Sequence, residues 1–128
     1  MRDLYSNIGA VLALSPAVKT AAGVGPVIDT HGFNRVAFVV NTGAIAGSGD
    51  FGVKVQESDT TTSGDFTDAP AGVVQSNAPA TLAADSAYKL GYHGFKRYVR
   101  LALTTAGGTS IAAGAVAVLS DAAQRPVA

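Results

Sequence analysis

The chain has 128 residues, with nine basic and nine acidic side chains and no cysteine. This length predicts one domain, the lack of cysteine excludes a disulfide framework or a thiolate metal site, and the neutral balance is unlike the basic surface of nucleic-acid-binding proteins. Charged residues make up 14% of the chain, below the roughly 25% usual in globular domains, which favours a protein whose surface is partly covered by partners.

The first strand is predicted at residues 8–14, where apolar side chains alternate up to Pro16. Proline is tolerated at sheet edges and at bends, so it marks the end or a bend of this strand. The apolar stretch is too short to span a bilayer and lacks the flanks of a signal peptide. Residues 1–7 precede the strand and are predicted to form an N-terminal arm, and residues 23–26 form a turn because they contain two glycines and a proline.

The clearest strand is predicted at residues 33–41. One face carries Val36, Phe38 and Val40, which we assign to the core. Residues 42–50 are small and rich in glycine, a composition that predicts a mobile loop.

A β-hairpin is predicted next, from an alternating strand at residues 51–58 and a short return strand at 66–69. Its inward side chains are Phe51, Val53 and Val55. Polar residues between the strands supply the turn.

The remaining strands are predicted at residues 72–76, 88–92, 97–105 and 111–119. A Gly-Gly turn joins the last two into a second hairpin. A helix within residues 78–87 is disfavoured by Pro79 and by the lack of an apolar face. Residues 120–128 are polar and are predicted to form a surface tail.

A turn motif occurs twice, as His31-Gly32-Phe33 and as His93-Gly94-Phe95, each before a strand. The repeat indicates two strands in related positions of two sheets; the alternative is coincidence, since glycine before an aromatic strand start is common. The fold class that follows is all-β: an antiparallel β-sandwich, jelly-roll or Ig-like, of about eight strands, with a closed β-barrel as the alternative. Residues 1–128 are predicted to form this single β domain.

Side chains that carry catalytic chemistry are sparse, so the chain is predicted not to be an enzyme and to need no cofactor. His31 and His93 lack a third metal ligand. The acidic residues at 57–59 and 65–68 match no standard calcium loop, and hairpin turns favour the same residue types. Neither a nucleophile elbow nor a phosphate-binding loop is present.

One basic and aromatic cluster lies at residues 92–100. Bases or phosphates could bind such a cluster, but alternation divides its members between two faces and the chain is neutral. We interpret the cluster as cation–π and cross-strand packing, without nucleic acid. Its members are Tyr92, Phe95, Lys96, Arg97, Tyr98 and Arg100.

Four segments carry a resemblance to small proteins of tailed bacteriophages and prophages. They are FGVKVQESD at 51–59, GDFTDA at 64–69, LGYHGFKRYVRL at 90–101 and RPVA at 125–128. The chain resembles minor head proteins of the capsid decoration, or cement, type over residues 4–128, most closely at 53–101. Genes of this family usually neighbour the gene of the major capsid protein.

The resemblance implies a structural virion protein on the capsid exterior. Its partners would be the major capsid protein and further copies of itself, as a dimer or trimer, with no nucleic acid and no membrane. Contacts are predicted at Leu4 and Tyr5 in the arm and at Arg125 in the tail, because neither segment joins a predicted strand. A tail or head–tail connector protein and a carbohydrate or cell-surface binding module are the alternatives.

Overall fold

The computed structural model describes residues 3–123 and consists of ten strands with three short 3-10 turns, at Tyr5–Asn7, Ser63–Asp65 and Ala71–Val73. No α-helix occurs within the described residues. The strands are β1 (Ile8–Lys19), β2 (Gly23–Val24), β3 (Ile28–Asp29), β4 (Phe33–Ala46), β5 (Asp50–Ser58), β6 (Thr67–Asp68), β7 (Val74–Ser76), β8 (Ala87–Tyr92), β9 (Tyr98–Gly107) and β10 (Ser110–Ala122).

The strands form two antiparallel sheets. The first sheet has the order β1-β10-β4-β8-β7, and the second has the order β2-β9-β5-β6 with β3 also paired to β9. The sheets stack instead of closing on each other, so the sandwich prediction is confirmed and the barrel alternative is wrong.

Nested pairing identifies the sandwich as a jelly roll. Strand β1 pairs with β10, β2 and β3 pair with β9, β4 pairs with β8, and β5 pairs with β6. The chain is therefore one long antiparallel ribbon, closed at the β5–β6 hairpin and wound over itself, which is the two-Greek-key arrangement of a jelly roll. If β2 and β3 count as one interrupted strand, eight strands form this ribbon and β7 is an added edge strand.

The core lies between the sheets and follows the alternation of the sequence. Val36, Phe38 and Val40 are buried in the first sheet, as predicted, and Val99 and Leu101 are buried opposite them in the second sheet. Burial of these apolar surfaces is the main source of stability in a chain without disulfides.

Strand β1 bends where the proline was expected to bend or end it. Its pairing with β10 shifts register between Leu12 and Leu14 and again between Leu14 and Ala17, and the second shift spans Pro16. A proline has no N–H for the ladder, so this irregular edge is a position that tolerates it.

The loop predicted at residues 42–50 is mostly strand. Strand β4 continues to Ala46, where Ile45 lies opposite Ile111 of β10. The buried Thr42 stabilises the extension because its hydroxyl donates to Ala83 O at 2.6 Å and accepts from the Ser86 N–H at 3.0 Å. The small side chains predicted a mobile loop, but most of these residues form a strand that is paired with β10.

The second predicted hairpin is wrong, because β9 and β10 lie in different sheets. Gly107 and Gly108 have φ values of 154° and 80°, and they turn the chain across the sandwich instead of back along one sheet. Residues 47–49, which carry the chain from β4 in the first sheet to β5 in the second, pack against this corner. A Cβ on Gly108 would overlap the Ser48 carbonyl oxygen. The first predicted hairpin, β5–β6, is confirmed.

Both His-Gly-Phe turns also carry the chain between sheets. The first joins β3 to β4 and the second joins β8 to β9, so the strands that follow lie in different sheets, as expected. The turns are adjacent, since the Thr30 N–H donates to Arg97 O at 2.9 Å.

The predicted termini agree in part with the structure. Strand β10 extends to Ala122, so residues 120–122 of the predicted surface tail belong to the first sheet. Ser120 lies opposite both Ile8 and Arg35. The strand continues at this polar residue because it has a neighbouring strand on each side. Residues 1–2 of the predicted arm and 124–128 of the predicted tail lie outside the described part of the chain.

Candidate interaction surface

An uncharged apolar surface covers the outer side of the first sheet. Register places Leu12, Val116 and Val39 in one row, with exposures of 48%, 42% and 41%. The next row is Ala10, Val118 and Ala37. We call these six residues the apolar face.

The apolar face departs from the usual pattern of an exposed sheet. An antiparallel sheet with one solvated side normally carries polar residues there. Charged side chains occur at its borders, with Lys89 opposite Val39 on β8 and Arg35 in the row that contains Ile8 and Ser120. A contiguous apolar patch with a polar rim is typical of a surface that binds another macromolecule.

Leu4 and Tyr5 precede β1 at one end of the first sheet. Leu4, together with Ile8, Arg35 and Ser120, lines a shallow cavity of about 290 Å³ at the end of the first sheet. Leu4 is 66% exposed and Tyr5 is 86% exposed. Leu4 therefore lies beyond the row that borders the apolar face, at the same end of the sheet, whereas Arg125, the third predicted contact, lies outside the described residues.

The arm is held in its 3-10 turn by Asp3. The Ser6 N–H donates to Asp3 Oδ1 at 3.3 Å, and Asn7 Nδ2 donates to the Asp3 carbonyl at 2.7 Å. Hydrogen bonds from Ser6 to the carboxylate lower the pKa of Asp3. The exposed Leu4 and Tyr5 are thus presented from a bonded turn.

A second exposed apolar group is Phe95, at the tip of the second His-Gly-Phe turn. Its side chain is 98% exposed, yet the turn around it is anchored. The Tyr92 hydroxyl accepts from the Lys96 N–H at 3.2 Å and donates to Glu57 Oε1 at 3.1 Å, and Lys96 Nζ lies 2.7 Å from Asp59 Oδ2. Burial is the main cause of a raised pKa at Tyr92, which keeps this hydroxyl protonated and donating.

Arg97 ties the two His-Gly-Phe turns together. Its Nε and Nη2 donate to the two carboxylate oxygens of Asp29 at 2.9 and 2.8 Å. These bonds lower the pKa of Asp29 to about 2 and raise the pKa of Arg97. The guanidinium also lies 5.1 Å from the centre of the Tyr98 ring.

Arg100 packs beneath the β5–β6 turn. It lies 4.3 Å from the Phe66 ring centre, and its Nε and Nη1 donate to Gln56 Oε1 and Ser63 Oγ at 2.7 and 2.9 Å. The interpretation of the basic cluster as cation–π packing is confirmed for Arg97 and Arg100. Phe66, which binds Arg100, was not part of the predicted cluster.

The acidic residues considered for calcium point to separate partners. Asp65 accepts from Thr60 Oγ1 at 2.7 Å, and Asp68 accepts from Lys54 Nζ and Gln56 Nε2, both at 3.1 Å. Within residues 3–123, no group of three or more histidine, aspartate or glutamate residues is arranged to hold a metal ion. His31 and His93 are exposed, and the backbone N–H of each is bonded, to Asp29 Oδ1 and Val73 O respectively.

A cleft of about 530 Å³ opens between the β6 and β7 edges of the sandwich. Its lining includes the apolar Val53, Val74 and Leu90 and the polar Ser76 and Thr104, so its surface is mixed. Two charged residues of the lining, Lys54 and Asp68, are paired at 3.0 Å. The described residues also contain no helix with the length and hydropathy needed to cross a membrane.

Comparison with known proteins supports the architecture. No protein-family model and no curated protein sequence matches this chain. A solved structure that is similar is the SPBc2 prophage-derived protein YomS, with a TM-score of 0.52 at 8% identity, covering 92% of this chain and 98% of that chain. PirA gives a TM-score of 0.39 at 16% identity, covering 94% of this chain and 96% of that chain. The likeness to YomS shows a shared β fold.

Sequence reasoning missed the apolar face and the exposed aromatic tip. One signal for the face was present, because the side of β4 opposite the core carries Ala37 and Val39, both apolar. Leu12 and Val116 could not be placed beside them without knowing that β10 lies between β1 and β4. The exposure of Phe95 depends on how its turn is held and has no signal in the sequence pattern.

Proposed function

We propose that this chain is a structural virion protein of a tailed phage, one that binds the outer surface of the capsid and reinforces contacts between major capsid subunits. It acts by adhesion and not by catalysis. The observation that carries the proposal is the uncharged apolar face, with the exposed Leu4 and Tyr5 at one end of the same sheet. The sequence resemblance to capsid decoration proteins and the fold shared with a prophage-derived protein support it.

The size of the apolar face fits binding to a repeating lattice. Three adjacent strands that each contribute two outward residues cover about 200 Å², well below the roughly 800 Å² that each partner buries in a stable complex. One such contact is weak, but many copies on one shell act at high effective concentration. The proposed partner is the major capsid protein, and the proposed location is the capsid exterior.

Capsid binding by the Val39→Lys variant, compared with wild type, tests the proposal. The lysine places a charge within the apolar face, on an exposed strand position, so the fold is retained while binding weakens at least tenfold. The control is Thr67→Lys, which adds the same charge to an exposed position on β6 of the other sheet and is expected to change binding less than twofold. Copies per particle on expanded capsids of the major capsid protein from the same genome are counted by cryo-electron microscopy.

Deletion of residues 1–6 is the companion variant. It removes Leu4 and Tyr5 but leaves the β1–β10 ladder intact, so occupancy should fall while thermal unfolding is unchanged. Failure of the wild-type chain to bind capsids would overturn the proposed function. Wild-type binding that neither Val39→Lys nor the deletion weakens would overturn the assignment to the apolar face and the arm.

The exposure of Phe95 favours one second candidate, a carbohydrate-binding module. Such modules expose aromatic rings, and this ring is presented on an anchored turn. Binding of the wild-type chain on a glycan array, lost in Phe95→Ala, would support this candidate. If the chain instead occupied the tail or the head–tail connector of the particle, it would be a tail or head–tail connector protein.

A further inference from the structure

We propose that β1 pairs antiparallel with β1 of a second copy of this chain, forming a twofold dimer through residues 8–12. The inference concerns the isolated chain and does not depend on capsid binding. It rests on the sheet edges. An edge strand exposes unpaired backbone N–H and C=O groups, and a long uncharged edge pairs readily with another chain.

The other sheet edges in the described chain are short or interrupted. Strands β6 and β7 have two and three residues, and β2 and β3 have two residues each with Pro26 between them. Short edges and prolines are the usual protection against unwanted pairing. Strand β1, by contrast, is an edge strand of twelve residues.

Only part of β1 is available for pairing. Its second half is irregular around Pro16, and at the bulge the Ala13 carbonyl oxygen is covered by Gly25, where an added Cβ would overlap that oxygen. The first half, residues 8–12, pairs regularly with β10 and contains neither charge nor proline. Ala10, Val11 and Leu12 are exposed there, Val11 at 40% and Leu12 at 48%.

This segment is complementary to itself. Full overlap of residues 8–12 in an antiparallel pair places Ala10 opposite Ala10 of the second copy and Leu12 opposite the second copy's Ile8. Ile8, Ala10 and Leu12 share the outer side of the first sheet, so the cross-strand pairs are aliphatic and free of like charges. A twofold axis of this kind gives an isologous interface, and it puts both apolar faces on the same side of a continuous ten-stranded sheet.

The area of the interface determines its strength. Five residues of strand span about 17 Å. Even with both stacked sheets in contact along that length, the interface buries no more than about 700 Å² in total, less than half the area found in stable complexes. The dimer is therefore weak and concentration-dependent, with dissociation at micromolar to millimolar concentrations. A surface that carries many copies would shift the equilibrium towards pairing.

Sedimentation equilibrium tests the proposal, with Ala10→Lys as the disrupting variant. Protein concentrations from about 5 to about 500 µM bracket the affinity expected of so small an interface. Two lysines would face each other at the twofold axis, so the dimer affinity should fall at least tenfold, whereas Val39→Lys, two strands from the edge, should change it less than twofold. An equimolar mixture of Ala10→Lys and Ala10→Glu should restore association. Far-UV circular dichroism checks that each variant is folded.

A covalent readout guards against a variant that fails to fold. Because the chain has no cysteine, Ala10→Cys should form a disulfide-linked dimer under mild oxidation, and Val39→Cys should do so at least tenfold more slowly. A wild-type chain that stays monomeric at the highest of these concentrations would overturn the proposal. So would equal loss of the dimer in Ala10→Lys and Val39→Lys, which would indicate face-to-face packing instead.

Discussion

At the scale of single residues, one ion pair fastens the two His-Gly-Phe turns and makes them sensitive to acid. The Asp29 and Arg97 side chains are 46% and 51% exposed, so solvent screening limits the pair to about 1 kcal/mol of stability. The folded-state pKa of Asp29 is lowered from 3.8 to about 2. Its contribution is therefore fully present above pH 3.8 and is lost as the pH falls towards 2.

Asp29→Asn is expected to lower the free energy of unfolding by about 1 kcal/mol or less at pH 6. Asparagine retains the oxygen that accepts the His31 N–H, so the loss reports the charge. The difference from wild type should shrink to near zero at pH 2, as measured by urea unfolding at both pH values. An undiminished difference at pH 2 would contradict the prediction.

Residue-level prediction identified the core but did not identify the polar pairs. Alternation alone identified Val36, Phe38 and Val40 as buried, because a strand with one face in the core must repeat every second residue. Asp29 and Arg97 are 68 positions apart, and only the adjacency of β3 and β9 brings them together. Local pattern contains no information about such a pair.

At the scale of elements, the corner between β9 and β10 decides the topology. Gly108 has a φ of 80° and approaches the backbone of Ser48 and Gly49 so closely that a Cβ would overlap both. A substitution there incurs backbone strain and a steric clash together. The matched control is Gly64 in the β5–β6 turn, where a Cβ would meet nothing within 4 Å.

Gly108→Ala is expected to lower the free energy of unfolding by about 2–5 kcal/mol, the sum of an unfavourable left-handed backbone and overpacking. Gly64→Ala should stay within about 0.5 kcal/mol of wild type. Chemical denaturation with constant m-values measures both. Equal effects of the two substitutions would show that the corner is not tightly packed.

Of the two predicted hairpins, β5–β6 is confirmed and β9–β10 is wrong, and the composition of the two turns explains the difference. The β5–β6 turn is rich in Asp, Ser and Thr, whose side chains bond the local backbone, and it does reverse the chain within one sheet. The Gly-Gly pair at 107–108 has no side chain to specify a turn type. Glycine permits a reversal within a sheet and a crossing between sheets equally well, so the packing of the other corner decides.

At the scale of the whole molecule, the jelly roll ties the two sheets into one unit. Strand β10 lies between β1 and β4, so the first sheet is completed by the last of the described strands. Long-range pairing of this kind predicts slow folding, in milliseconds to seconds. Sequence patterns predicted the strands and the sandwich, but the order of strands follows from this winding, which no local segment encodes.

Leu101→Ala tests whether the sandwich unfolds as one unit. Leu101 is fully buried in β9 of the second sheet, so the substitution should lower the free energy of unfolding by about 2–5 kcal/mol. The same change at Leu12, 48% exposed on β1, should cost about 1 kcal/mol or less. Because one core joins the sheets, amides of β10 in the first sheet should lose hydrogen-exchange protection together with those of β5 and β9. If β10 kept its wild-type protection in Leu101→Ala while β5 and β9 lost theirs, the two sheets would be separate cooperative units.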